Sequence, residues 1–338
     1  MTVSHMNPRT RGFKIDLLLQ QRMGKRDSRA DMLNDDPFSR RQNPPKIHRV
    51  HHQGSGSQFE RGTPLSGALM QFLGQENWEQ PKHHKGRIWH FSETEKEHLR
   101  LAMGAFTLAL GFMAVGGMGG ISRLGLSGWL VMLLLSMPVM FIAIGPAFLF
   151  HEIGHKLVAK KNGCWAEFRA DPKGLQFGIF LSLLLGFLFM APGAVMVAGL
   201  VTRRQNGHIA VAGPLTNFAL FLIGIPLWGM ILGFSGAFQT ATVSSLFEPT
   251  YLVDGALVWQ AMLIDAGVFW LSANLILGLF NMLPFGPLDG LKVKDWNEQV
   301  FFGVIGVFAI LVLTMFTGVW SPIDVLYSVS QPFSNFVR

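Results

Sequence analysis

The sequence predicts a polytopic membrane protein, an all-α bundle of five to six transmembrane helices with a small membrane-associated β-hairpin or sheet beside its candidate active site. Three observations predict it. Charged residues are only 14% of the 338 residues, and nearly all the apolar content follows Leu99. Between Leu99 and Trp320 lie several apolar stretches, each near the roughly 20 residues needed to cross a hydrocarbon core of about 30 Å. Within them, residues 163–213 change to short alternating segments broken by Gly and Asn, which is the pattern of strands.

Residues 1–91 read as a disordered or weakly ordered N-terminal tail. Arg22–Arg29, Asp35-Asp36-Pro37 and Asn43-Pro44-Pro45 mix charge with breakers, and Gly54-Ser-Gly-Ser57 has linker composition. His51-His52 and His83-His84 have no regular spacing and no acidic partners, so they read as solvated rather than metal-binding. The net charge of +7 is concentrated here, with 16 Lys/Arg against 11 Asp/Glu in residues 1–98. That distribution fits topology and an anionic bilayer surface, and no nucleic-acid partner is expected. The first apolar run begins about 100 residues in, so no removable leader is expected. Cys164 is the only cysteine, which excludes an intrachain disulfide and a thiolate metal cluster, and it reads as inert.

The membrane domain is expected over 92–320. Ser92-Glu-Thr-Glu95 has the form of a capping box ahead of an apolar run. Five crossings follow at about 99–121, 126–158, 213–233, 258–281 and 299–320, then a short tail at 321–338. Residues 165–169, 194–201 and 208–211 read as strands, with Arg203–Gly207 as a hairpin loop whose Asn-Gly supplies positive φ. Phe177–Met190 is apolar but only 14 residues long, so it is either a sixth crossing or a re-entrant segment.

His151-Glu152-Ile153-Gly154-His155 ends the long apolar run. Ionisable groups at that depth are costly unless they coordinate something or do chemistry. On a helix, residues i and i+4 share a face, so both imidazoles can hold one metal with Glu152 beside it to activate water. A catalytic zinc keeps three protein ligands and one open position. The candidates for the third are Asp265, Asp289 and His208. Asp265 and Asn281 are 16 residues apart on one expected helix, about 24 Å of rise, so both cannot reach the metal. Asn281–Gly290 breaks that helix with Pro284, Pro287 and glycines, and such backbone at membrane depth lines a protein-walled or wet cavity. It also follows the span that returns to the side of His151, which selects Asp289 and leaves Asp265 near the opposite face. With 177–190 not crossing, Lys156, Lys160, Lys161, Arg203, Arg204, Lys292 and Lys294 fall on the active-site side. Positive charge then puts that side, and the N-terminus, in the cytoplasm.

These residues resemble the site-2 protease family of intramembrane zinc metalloproteases, its archaeal-like members especially. The resemblance runs through His151–His155, Ala194–Val211, Ala212-Gly-Pro-Leu-Thr-Asn217 and Asn281–Gly290, and covers roughly 99–320. It implies one Zn2+ per chain held by His151, His155 and Asp289, with Glu152 as general base. It further implies Asn281, and with it Asn217, as polar groups for substrate or oxyanion, and a sheet whose edge receives an unwinding substrate. Gly286 departs from the pattern, standing where many relatives have a second proline. The expected activity is hydrolysis of a peptide bond in or near a transmembrane segment, with membrane-anchored proteins as substrates and the lipid bilayer as surroundings. Self-association as a homo-oligomer is left open. The competing readings are a membrane-embedded zinc peptidase for secreted or lipid-linked peptides, and a non-catalytic metal-binding transporter.

Overall fold

The computed structural model describes residues 89–190, 192–198, 201–240 and 251–334. The expected N-terminal tail lies outside the described residues as far as residue 88.

Ser92 starts helix α1 (Glu93–Ala114) by accepting from the Glu95 N–H at 3.1 Å. Only half of the expected capping box forms, because the Glu95 carboxylate turns away to Lys156 and to the Phe168 N–H. The helix begins six residues before the expected crossing. Glu93, Glu95, Lys96, Glu97 and Arg100 occupy its first turns, which shortens its apolar length. A 3-10 turn, Gly117–Gly120, leads to α2 (Ile121–Lys161). Gly125, at φ 68°, kinks the start of α2, and Trp129 anchors it by donating to Gly117 O at 2.7 Å. Phe112 stacks on Trp129 and Phe106 on Phe148, so α1 and α2 zip together through aromatic pairs.

Strand β1 (Trp165–Ala170) pairs antiparallel with β2 (Gly193–Ala198), Trp165 opposite Ala198 and Ala170 opposite Gly193. Between them lies α3 (Pro172–Leu185), N-capped by Asp171. The paired ends show how this excursion runs. The chain leaves at Ala170 and returns to Gly193 beside it, so residues 171–192 go out and come back. The fourteen helical residues of α3 reach about 21 Å. At the end of α3, Gly186 packs against the backbone of Gly116 and Gly117, where a Cβ on Gly186 or on Gly117 would strike main chain. The two ends of the excursion that contains residues 177–190 therefore lie side by side, and α3 is shorter than the helices long enough to cross a membrane.

Helix α4 (Arg203–Ser235) corrects the strand expected at 208–211 and the hairpin loop expected at 203–207. Thr202 and Gln205 form a full capping box, so residues 203–211 are its first turns. Four alternating residues are too few to overrule a well-capped helix. After a short turn of helix, α5 (Ala237–Thr240), a small hairpin joins β3 (Leu252–Val253) to β4 (Ala256–Leu257). Asp254 and Gly255 make its turn, both with positive φ. Then come α6 (Trp259–Asn281), α7 (Asp289–Trp296) and α8 (Glu298–Phe316). The segment read as a C-terminal tail supplies a last helix, α9 (Pro322–Ser334). It packs along α4 with Leu326 fully buried and Phe333 against Phe234.

Among the described residues, four helical segments are long and apolar enough to cross a membrane: 117–161, 203–235, 259–281 and 298–316. The protein is an integral membrane protein of helical type. α4 is its central post, with α2, α6, α7 and α9 packed on it.

Candidate metal centre

The last turns of α2 bring His151, Glu152 and His155 into the bundle, all less than 10% exposed. The imidazoles of His151 and His155 face one another edge to face at 4.6 Å, with their Nε2 atoms 3.0 Å apart. Asp289 opens α7, and its Oδ2 lies 3.0 Å from His155 Nε2 and 3.4 Å from His151 Nε2. Three of the residues selected in the sequence thus converge on one point.

Close helix packing makes that convergence feasible. A Cβ on Gly154 would strike Thr216 and Ala212 of α4, and a Cβ on Gly213 would fall on both imidazoles. Glycine at these two positions lets α2 and α4 touch where the rings meet. Asp289 arrives because the 282–288 turn folds back on itself: Gly290 lies directly on Met282 O, leaving no room for a side chain. At the other end of α7, Trp296 covers Gly207 and meets the His208 ring at 4.6 Å. His208 therefore belongs to the docking of α7 and not to the ligand cluster.

Hydrogen bonds fix both rings. His155 Nδ1 donates to Ile209 O at 2.7 Å, and His151 Nδ1 donates to Asn217 Oδ1 at 2.6 Å. The Asn217 amide is oriented by its own donations, to Ala147 O at 2.9 Å and Asn274 Oδ1 at 3.0 Å. With each Nδ1 committed to an outer acceptor, the two Nε2 atoms and a carboxylate oxygen are turned towards each other. A positive charge shared between them, a proton or a metal ion, holds such a set together. Two imidazoles and one carboxylate, with a further position open, suit catalytic zinc, and hydrogen-bonded outer nitrogens are how zinc histidines are held. The second oxygen of Asp289 is engaged by Lys292 Nζ at 3.2 Å.

Glu152 Oε2 is buried and has no hydrogen-bond partner among the described residues, a costly state for a carboxylate that does no chemistry. Asn217, expected from the sequence on the substrate or oxyanion side, stands behind His151, fully buried, with both amide hydrogens given away, and its carbonyl oxygen orients the ring. Asn281 ends α6 half-buried and donates back to Leu277 O at 3.0 Å, which ties it to its own helix rather than to the three ligands. Asp265 is buried in α6, nine residues before Asn274 and so about 13 Å along the helix from the Asn217 contact. Its neighbour is Tyr251, whose phenol is pushed up by burial and then by the Asp265 charge. Burial also pushes the Cys164 thiol up, in keeping with an inert side chain. Asn274 escaped the sequence reading, although an asparagine in the apolar run 259–281 was a visible signal, and Lys292 was read there only as a charge on the active-site side, not as a partner of Asp289.

Residues 139–296 match the family described as Peptidase family M50. A Methanocaldococcus jannaschii protein named "Putative zinc metalloprotease MJ0611" is 40% identical over 169 residues, 50% of this chain and 74% of the other. "Putative zinc metalloprotease YwhC" of Bacillus subtilis is 28% identical over 47% of this chain and 68% of its own. "Probable zinc metalloprotease EGY2, chloroplastic" of Arabidopsis thaliana is 28% identical over 44% of this chain, but only 27% of its own length is covered. No solved structure gave a significant match.

Proposed function

The chain belongs to peptidase family M50 and is a zinc metalloprotease, and on that footing we propose that it is an intramembrane endopeptidase cutting membrane-anchored proteins near the cytoplasmic face. One observation carries the reading: three metal-binding side chains meet beside a carboxylate oxygen, Glu152 Oε2, that has no hydrogen-bond partner among the described residues, all buried in a bundle of helices long and apolar enough to cross a membrane.

His151, His155 and Asp289 would hold the zinc ion, which when bound supplies Lewis acidity, acidifying water and polarising a carbonyl. Glu152 takes the proton of the attacking water and delivers it to the leaving amide nitrogen. Its Oε2, buried without a hydrogen-bond partner among the described residues, is available for both transfers. Asn217 and Ile209 O hold the rings with Nε2 inward, and Asn274 holds Asn217. Asn281, with one amide hydrogen and its carbonyl beyond the bond to Leu277, is assigned to the substrate backbone.

A peptide bond within a transmembrane helix is shielded by its own hydrogen bonds, so the substrate must unwind. An extended segment can then pair with a strand edge. The outward amides of β1 at Phe168 and Ala170 are taken by Glu95 Oε1 and His98 Nδ1, which favours β2 as the receiving edge. The basic residues Lys160, Lys161, Arg203, Arg204, Lys292 and Lys294 support a cytoplasmic site.

The test is Glu152→Gln in the purified protein, with β-casein and native-cell membranes as substrates. Cleavage should fall by at least about 10²-fold, with zinc retained and uncut membrane proteins co-purifying. Cleavage at the unsubstituted rate would contradict the mechanism.

A further inference from the structure

A second buried ionic cluster lies beyond the metal centre, on the far side of the His151–His155 turn. Lys156, the residue after His155, pairs with Glu95 of α1, and each side chain is 1% exposed. The Phe91 ring covers the ammonium, with Nζ 3.6 Å from its centroid. A buried pair of this kind is poor evidence of stability, since well-packed apolar residues often do as well. Its geometry points elsewhere. Glu95 uses one oxygen for Lys156 and the other, at 3.1 Å, for the backbone N–H of Phe168 in the middle of β1. The Phe168 side chain, 1% exposed, packs edge-on against Phe148 at 5.6 Å, and Phe148 lies one turn before His151. Two tethers therefore run from Phe168 to the catalytic helix. One lands just before the His-Glu-His turn and the other just after it.

We infer that Glu95 is a positioning residue: it fixes the height of the β1–β2 sheet relative to Glu152 and the metal ligands, and so sets which substrate bond is cut. The inference rests on the proteolytic reading above and on a substrate strand pairing with the sheet. A substrate paired to β2 takes its register from β1, because the strands are locked Ala170 to Gly193. A misplacement of about 1 Å at the reacting bond can cost up to about 10²-fold in rate.

Two double variants separate positioning from packing. Glu95→Met with Lys156→Met removes both charges while keeping the volume, and deletes the bond to Phe168. Glu95→Gln with Lys156→Met also removes both charges, but its amide oxygen can still accept from the Phe168 N–H. The cut bonds in β-casein, an unfolded chain that needs no unwinding, are mapped by mass spectrometry alongside kcat, KM, zinc content and thermal unfolding. The Met/Met protein should bind zinc normally, lose about tenfold or more in kcat, and spread its cuts to neighbouring bonds. The Gln/Met protein should recover the original cuts and come within about threefold of the original kcat. Unchanged cuts and rate in the Met/Met protein overturn the inference, as does an equal loss in both double variants with no shift of cut position. Should the Met/Met protein not fold, Phe168→Leu, which shortens the other tether, must shift the cuts; unshifted cuts overturn the inference. An unsubstituted protein that cuts nothing overturns the functional reading instead.

Discussion

Replacing Asn217 by alanine separates two roles for that residue, behind the metal or on the substrate. Asn217 is fully buried and makes three hydrogen bonds, to His151 Nδ1, Ala147 O and Asn274 Oδ1. Ala147 O lies within α2 and has its helical partner, so its loss is small. The His151 N–H and Asn274 Oδ1 would each be left buried and unsatisfied, at about 1–3 kcal/mol apiece. The folded state should lose about 2–6 kcal/mol on that count. The freed imidazole could then turn its proton inward, and removing such a supporting partner lowers metal affinity by about 10–100-fold, or about 1.4–2.8 kcal/mol. The assay is zinc affinity against a competing chelator, measured beside kcat and KM at saturating zinc. Weaker zinc with a largely retained KM is expected. Unchanged zinc affinity with a raised KM would refute this reasoning and return Asn217 to the substrate side.

Gly213→Ala should also weaken zinc binding, because the new methyl falls on both imidazoles; overpacking of this kind costs about 1–3 kcal/mol, read as a 5–150-fold rise in zinc dissociation constant. Arg203→Ala should change thermal stability by no more than about 1 kcal/mol, since the Arg203–Asp295 pair is two-thirds exposed; a larger loss would mean that this pair, and not Trp296 on Gly207, holds α7 in place. A chelator should abolish cleavage and added zinc should restore it, followed by β-casein digestion.

The legible parts of the sequence were those with a period or a cost. His151 and His155 announced themselves by the i, i+4 spacing in an apolar run, and Asp289 by the helix-breaking prolines around it. Length left 177–190 between a sixth crossing and a re-entrant segment, and what the local pattern could not show is the pairing of Ala170 with Gly193, which brings the two ends of that excursion together. The misreadings have a common origin in signals that only tertiary contacts arbitrate. His208–Val211 alternates like a strand, yet the Thr202/Gln205 box upstream starts a helix. Ser92 and Glu95 have capping-box spacing, yet the carboxylate is drawn to Lys156, 61 residues away. Asn217 was visible as a polar residue near the site, but its facing residue is set by the α2–α4 crossing at Gly154 and Gly213, which no local pattern encodes.

Metal stoichiometry tests the central assignment most directly, measured on purified unsubstituted, Glu152→Gln and Asp289→Ala proteins whose helix content is checked by circular dichroism. One zinc per chain in the first two, and near zero in Asp289→Ala with helix content intact, is the result predicted. A full zinc complement in folded Asp289→Ala would contradict the His151–His155–Asp289 centre.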